Sequence, residues 1–116
     1  MDILVLEDDG FRATFFIETL YAYNLRITEN TNTAIKYLKE YEFDYIFLDN
    51  DLGENNGFGA DVAAYLYEHQ ENPNYETQII IHSWNVPAAL AIAGLLQQSV
   101  YLPYGTDKFF EFALDI

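Results

Sequence analysis

Two apolar runs in this chain end in carboxylates. Leu4-Val5-Leu6 leads into Glu7-Asp8-Asp9, and Tyr45-Ile46-Phe47-Leu48 leads into Asp49-Asn50-Asp51. A short, continuously apolar run suits a strand covered on both faces, as in a parallel sheet. Two such strands lying side by side in parallel bring their acidic ends to one edge. Carboxylates crowded there repel one another unless a proton or a divalent cation sits among them. The pattern predicts a small α/β domain with an acidic, metal-binding edge.

The chain has 116 residues, which suits one domain spanning residues 1–116. Half of its residues are apolar and 17% are aromatic, enough to build a core without staples. Cysteine is absent, which excludes disulfides and thiolate chemistry. The balance of 19 acidic to 5 basic residues gives a net charge of -14. Counterion release on a nucleic-acid backbone needs clustered Lys and Arg, so long nucleic acids are excluded as partners, and anionic membranes with them. Divalent cations and basic partner proteins suit this charge, which also serves solubility. Asp2 follows Met1 directly and no basic n-region precedes the first apolar run, so a cytoplasmic protein is expected.

Along the chain, strand-like and helix-like patterns alternate five times. Residues 3–6 read as a strand. Phe11, Phe15, Phe16, Leu20 and Tyr23 recur at helical spacing and predict a helix with those residues inward. Leu25 to Thr28 reads as a short strand. Thr31 to Glu40 reads as a helix, with Asn30, Thr31 or Asn32 as cap. Tyr45 to Leu48 is a strand, Gly53 to Gly57 a loop, and Phe58 to Tyr67 a helix. Ile79 to Ile81 is a β-branched strand, followed by a helix from Pro87 to about Gln98. Val100 to Leu102 closes the sheet, and Thr106 or Asp107 caps a last helix through Leu114. This alternation predicts a five-stranded parallel sheet with helices on both faces and a ligand site at the strands' carboxyl ends.

With these elements placed, the chain resembles a response-regulator receiver domain, a flavodoxin-like fold, over nearly its whole length. Glu7 and Asp8 stand where receivers carry an acidic pair, and Asp49 stands at the phospho-acceptor position. Asp51 occupies the position whose backbone carbonyl normally reaches Mg2+, and Ser83 fits the Ser or Thr ending strand four. One departure concerns charge. Receivers place a Lys just before the Pro that follows strand five, and here Leu102 precedes Pro103, with Lys108 beyond it in the last helix. A phosphoryl group on Asp49 would lack that charge-assisted partner, worth roughly 1.5–3 kcal/mol. A narrower resemblance is to the cyclic-phosphate-processing receiver branch, carried by Leu48-Asp49-Asn50-Asp51-Leu52-Gly53 and His82-Ser83-Trp84-Asn85. That branch's name implies a phosphoesterase acting on cyclic phosphates.

The expected site follows. Asp8, Asp49 and Asp51, with Glu7, are the candidate ligands for Mg2+ or Mn2+. His82 and Asp49 are the candidate catalytic residues, His82 as general acid or base. Ser83, Trp84 and Asn85 are candidates to contact a phosphate or a base, while Asn85 can instead cap the helix near Pro87. His82 and Ser83 cannot both face one metal on a regular strand unless the strand ends between them. Three functions remain open: processing or recognition of a small phosphate-containing ligand, signalling to a partner protein through phosphorylated Asp49, and a pure interaction module without an output domain. The aromatic closing helix, Lys108 to Leu114, leaves a homodimer open.

Overall fold

The computed structural model describes residues 1–116. Five strands form one parallel sheet in the order β2-β1-β3-β4-β5. They are β1 (Asp2–Leu6), β2 (Asn24–Thr28), β3 (Tyr45–Leu48), β4 (Gln78–Ile81) and β5 (Val100–Tyr101). The helices are α1 (Gly10–Leu20), α2 (Thr31–Glu40), α3 (Gly59–Glu68), α4 (Val86–Leu95) and α5 (Asp107–Leu114). A single 3-10 turn at Pro73–Glu76 leads into β4.

The core has two layers because side chains alternate across each strand. Leu4, Leu6, Ile46, Leu48, Ile79 and Ile81 pack against α2, α3 and α4. On the other face, Ile3, Val5, Phe47 and Ile80 meet Phe16 and Leu20 of α1 and Phe109 and Ala113 of α5. Each fully buried Phe or Leu there contributes about 1.5–3 kcal/mol of transfer free energy. The continuous apolar runs of the central strands are thus explained by burial on both sides.

Four helices begin at a side-chain cap, which satisfies backbone N–H groups left without a partner inside the helix. Asp9 accepts from Arg12 N, and Asn30 accepts from both Asn32 N and Thr33 N. Asn85 accepts from Ala88 N, and Thr106 from Phe109 N. For α3 the bond runs backwards: Phe58 N donates to the Asp61 carboxylate at 2.9 Å.

Four expectations are corrected. Phe11 is 91% exposed rather than inward. Phe16 and Leu20, four apart, set the buried face of α1, and five residues before Phe16 is about 140° around the helix. Tyr23 lies beyond α1, where its hydroxyl donates to Ile116 O at 2.8 Å. Finally, α4 stops at Leu95, and β5 stops at Tyr101.

Candidate functional site at the carboxyl edge

The register of the sheet builds the site. Leu6 is the partner of Leu48, and Leu48 is the partner of Ile81. The next residue on each strand is Glu7, Asp49 and His82, so these three stand in a row facing α1 and α5. Their ligand atoms lie within 4.8 Å of one another. This row is not the trio of aspartates that the strand ends alone suggested.

Glu7 is buried and well satisfied. Its Oε2 accepts from Asp8 N at 3.0 Å and Asp9 N at 3.1 Å, and its Oε1 lies 2.9 Å from His82 Nε2. Burial works to raise its carboxyl, but the His82 hydrogen bond and charge, the Asp9 amide and Arg12 together bring it below the usual range. His82 is wholly buried, its ring against Phe16, Phe47 and Phe109. With Glu7 ionised, Nε2–H is the donor, and Nδ1 is left without a partner. His82 is thus screened from the open cleft, with Glu7 as its side-chain hydrogen-bond partner.

Asp49 stands at the mouth of this buried row. Asn50 N donates to its Oδ1 at 2.8 Å. Burial, with the Glu7 charge adding to it, pushes its carboxyl up to about 6, against the opposing pull of His82. Asp8 is also raised, by burial and then by Glu7. Two carboxyls raised at one edge mark negative charge in need of a cation.

Asp51 is exposed, and two side-chain amides hold it. Asn50 Nδ2 donates to its Oδ1 at 3.2 Å, and Asn85 Nδ2 lies 3.3 Å from its Oδ2. Asn50 in turn accepts from Ala60 N at 3.1 Å, tying the edge to α3. Gly59 belongs to the same construction: a Cβ there would lie 1.9 Å from Asp49 O, so only glycine lets α3 begin so close to β3.

A cleft of about 340 Å³ is lined by Arg12, Asp49, Asp51, Ser83, Trp84 and Asn85. Strand β4 ends at Ile81, which releases Ser83 into the cleft while His82 stays beneath it. Ser83 Oγ accepts from Asn85 N at 3.0 Å. Trp84 is 61% exposed, and its Nε1–H donates to Tyr104 O at 2.8 Å, so the indole is both tethered and open. Asn85 serves twice, as α4 cap through Oδ1 and as partner of Asp51 through Nδ2.

Arg12 was missed from sequence. Asp9 caps α1, which puts Arg12 in the first turn over the acidic row. Its Nε lies 3.1 Å from Glu7 Oε1 and its Nη2 lies 3.5 Å from Asp49 Oδ2. The Nε–H is not aligned on Glu7, so the first contact is ionic, not a hydrogen bond. A signal was available: one of only five basic residues stands three positions after Asp9, at the end of the first acidic cluster.

The donor set suits a hard divalent cation. Asp8, Asp49 and Asp51 offer carboxylate oxygens, the ligands that Mg2+ and Mn2+ take. Glu7 and His82 are already paired to each other, and an imidazole is a poor match for Mg2+.

A five-stranded parallel sheet in this order, with an acidic carboxyl edge, defines a receiver-type domain. The family model described as cyclic-phosphate processing receiver domain matches residues 3–98, and the chain belongs to that family. Solved structures agree on the fold. The phosphorylated cyanobacterial phytochrome response regulator RcpA is 16% identical, with a TM-score of 0.77 over 98% of this chain and 89% of that one. The Mn2+-bound form of response regulator Rcp1 is 20% identical, with a TM-score of 0.74 over 99% of this chain and 90% of that one. TrrA from Thermotoga maritima, in complex with Mg2+-BeF, is 19% identical, with a TM-score of 0.72 over 98% of this chain and 96% of that one. Among curated proteins nothing matches. No helix is long and apolar enough to cross a membrane.

Proposed function

We propose that this chain is a divalent-metal-dependent receiver that processes a small cyclic-phosphate or other phosphate-containing ligand at the β1–β3–β4 edge. The carrying observation is the cleft itself, where Asp49 and Asp51 stand together with Arg12, Ser83, Trp84 and Asn85. Asp8, Asp49 and Asp51 are the residues that would hold Mg2+ or Mn2+. A divalent cation, when bound there, would supply Lewis-acid polarisation of a phosphoryl oxygen and activation of water.

The chain's own residues supply the rest. Asp49 is the cleft carboxylate that joins the buried row to the open edge, and as a ligand it would stay ionised while the cation is bound. Glu7 and His82 stand behind it, so His82 acts through Glu7 as a positioning residue. Ser83 and Asn85 offer polar contacts, and the tethered face of Trp84 offers a surface for a base or a sugar. Opening a cyclic diester adds water across one P–O bond: the water oxygen stays on phosphorus and the ester oxygen leaves with a proton.

The test is turnover of 2′,3′- and 3′,5′-cyclic nucleotides and ADP-ribose 1″,2″-cyclic phosphate, with and without Mg2+ or Mn2+. Metal-dependent turnover lost in Asp49→Asn supports the reading, and no turnover on the panel sinks it. A second reading, phosphorylation of Asp49 with signalling to a partner protein, is favoured by its place at the end of β3 beside Arg12. A small phosphodonor that labels wild type but not Asp49→Asn would select it.

A further inference from the structure

We infer that Arg12 is the phosphate-binding cation of this cleft, supplying from α1 the positive charge that Leu102, just after β5, does not provide. This rests on the proposed phosphate ligand and adds a residue to that site.

An anion cannot approach an edge carrying Glu7, Asp8, Asp49 and Asp51 unless cations offset those charges. The sequence holds five Lys and Arg residues, and four have other surroundings or sit elsewhere. Arg26 lies against Asp2 and over the Tyr41 ring at 3.7 Å, and Lys39 is near Tyr65. Lys108 lines a separate groove with Leu102 and Phe112, and Lys36 is on α2. Arg12 alone among them lines the cleft with Asp49 and Ser83.

Its present contacts leave donors to spare. The approach to Asp49 is long at 3.5 Å, and the Nε–H has no acceptor though it is buried. A guanidinium has five N–H donors in a planar fork, the shape that grips two phosphate oxygens at once. The side chain keeps 26% of its surface open, so it is within reach of a ligand. Tyr104 lies beneath, with the guanidinium carbon 5.8 Å from its ring centroid, which favours keeping the cation at this spot. Asp9 fixes the helix start, so the charge comes from a rigid element and not from a mobile loop.

The same placement explains why a metal and a phosphate need not compete for Arg12. Arg12 is anchored by Glu7 at 3.1 Å, a carboxylate outside the proposed ligand set, while its Asp49 contact is the longer one at 3.5 Å.

The experiment uses the full chain and the fluorescence of Trp84, the single tryptophan, which lines the same cleft. Wild type, Arg12→Gln and Arg12→Lys are titrated first with Mg2+ and then with 2′,3′-cyclic AMP and inorganic phosphate. Arg12→Gln is expected to bind Mg2+ at least as tightly as wild type but to weaken phosphate binding by about tenfold or more, or about 1.4 kcal/mol. Arg12→Lys should fall between, since a point charge lacks the fork. Equal phosphate affinity in wild type and Arg12→Gln overturns the role of Arg12 alone. Wild type that binds Mg2+ but neither phosphate probe overturns the phosphate reading and this role together.

Discussion

His82 Nε2 lies 2.9 Å from Glu7 Oε1, and solvent reaches neither side chain. A buried pair of this kind is costly to break because the surviving partner is left charged and uncompensated. His82→Ala should therefore destabilise the fold by about 3–5 kcal/mol. Arg12, 3.1 Å from the same oxygen, offsets part of the charge and should hold the loss toward the lower end. His82→Ala combined with Glu7→Gln should recover part of it, since the orphaned charge is gone. Urea unfolding at pH 7 measures both, and equal stability of the single and double variants would contradict the pairing.

Asp49 and Glu7 give opposite pH dependence. Asp49 is raised from 3.8 to about 6, so its contribution is fully present below 3.8 and is lost as pH rises through about 6. Glu7 is lowered from 4.5, so its contribution is present above 4.5 and is lost as pH falls through its depressed value. Stability should thus fall from about pH 4 to pH 7 through Asp49, by on the order of 3 kcal/mol at most. Asp49→Asn should flatten that window and be more stable than wild type at pH 7. Mg2+ should have the same direction of effect on wild type, at saturating excess near 100-fold over Kd by about 2.7 kcal/mol, and little on the variant. Thermal melts across pH 4–8 with and without Mg2+ decide the matter.

The legibility of the chain followed its physics. Continuous apolar runs at 3–6, 45–48 and 79–81 made the central strands visible, because burial on both faces leaves no polar alternation to confuse them. Asn30, Asn85 and Thr106 announced helix starts through cap chemistry that is local in sequence. The convergence of Glu7 and Asp49 was legible from strand ends. Their alignment with His82 was not, because the partnering of Leu6, Leu48 and Ile81 is a property of register. Arg12 escaped for a related reason: its reach depends on where α1 starts and how it sits over β1, and residue type alone does not give that. Phe11 misled because an aromatic at nearly helical spacing can belong to the first turn's outer side.

Gly59 should tolerate no side chain. A Cβ placed 1.9 Å from Asp49 O forces α3 away from β3, and backbone cannot yield as a flexible side chain can. Gly59→Ala should cost about 1–3 kcal/mol, the usual range for overpacking. It should also shift Asp49, Asn50 and the amide of Ala60 that caps on Asn50, so metal affinity should fall with stability. Gly94→Ala is the matched control, since a Cβ there meets nothing within 4 Å. Chemical denaturation and Mn2+ quenching of Trp84 should separate the two variants clearly.

Asn85 joins the helix start to the acidic edge, and its two roles can be taken apart. Its Oδ1 accepts from Ala88 N at 3.2 Å, while its Nδ2 holds Asp51 at 3.3 Å. Serine caps helices about as well as asparagine but has no second arm, so Asn85→Ser should keep stability within about 0.5 kcal/mol. Alanine loses the cap as well and should cost about 1 kcal/mol. Both variants free the Asp51 carboxylate from its neighbour, and loss of such a supporting hydrogen bond typically weakens metal binding by roughly 10–100-fold. Titration of Mn2+ against Trp84 fluorescence should therefore show the two variants alike in affinity while urea unfolding shows them apart. If Asn85→Ser binds Mn2+ as wild type does, the Asp51 carboxylate is not a ligand that Asn85 orients, and the metal is held by Asp8 and Asp49 without it.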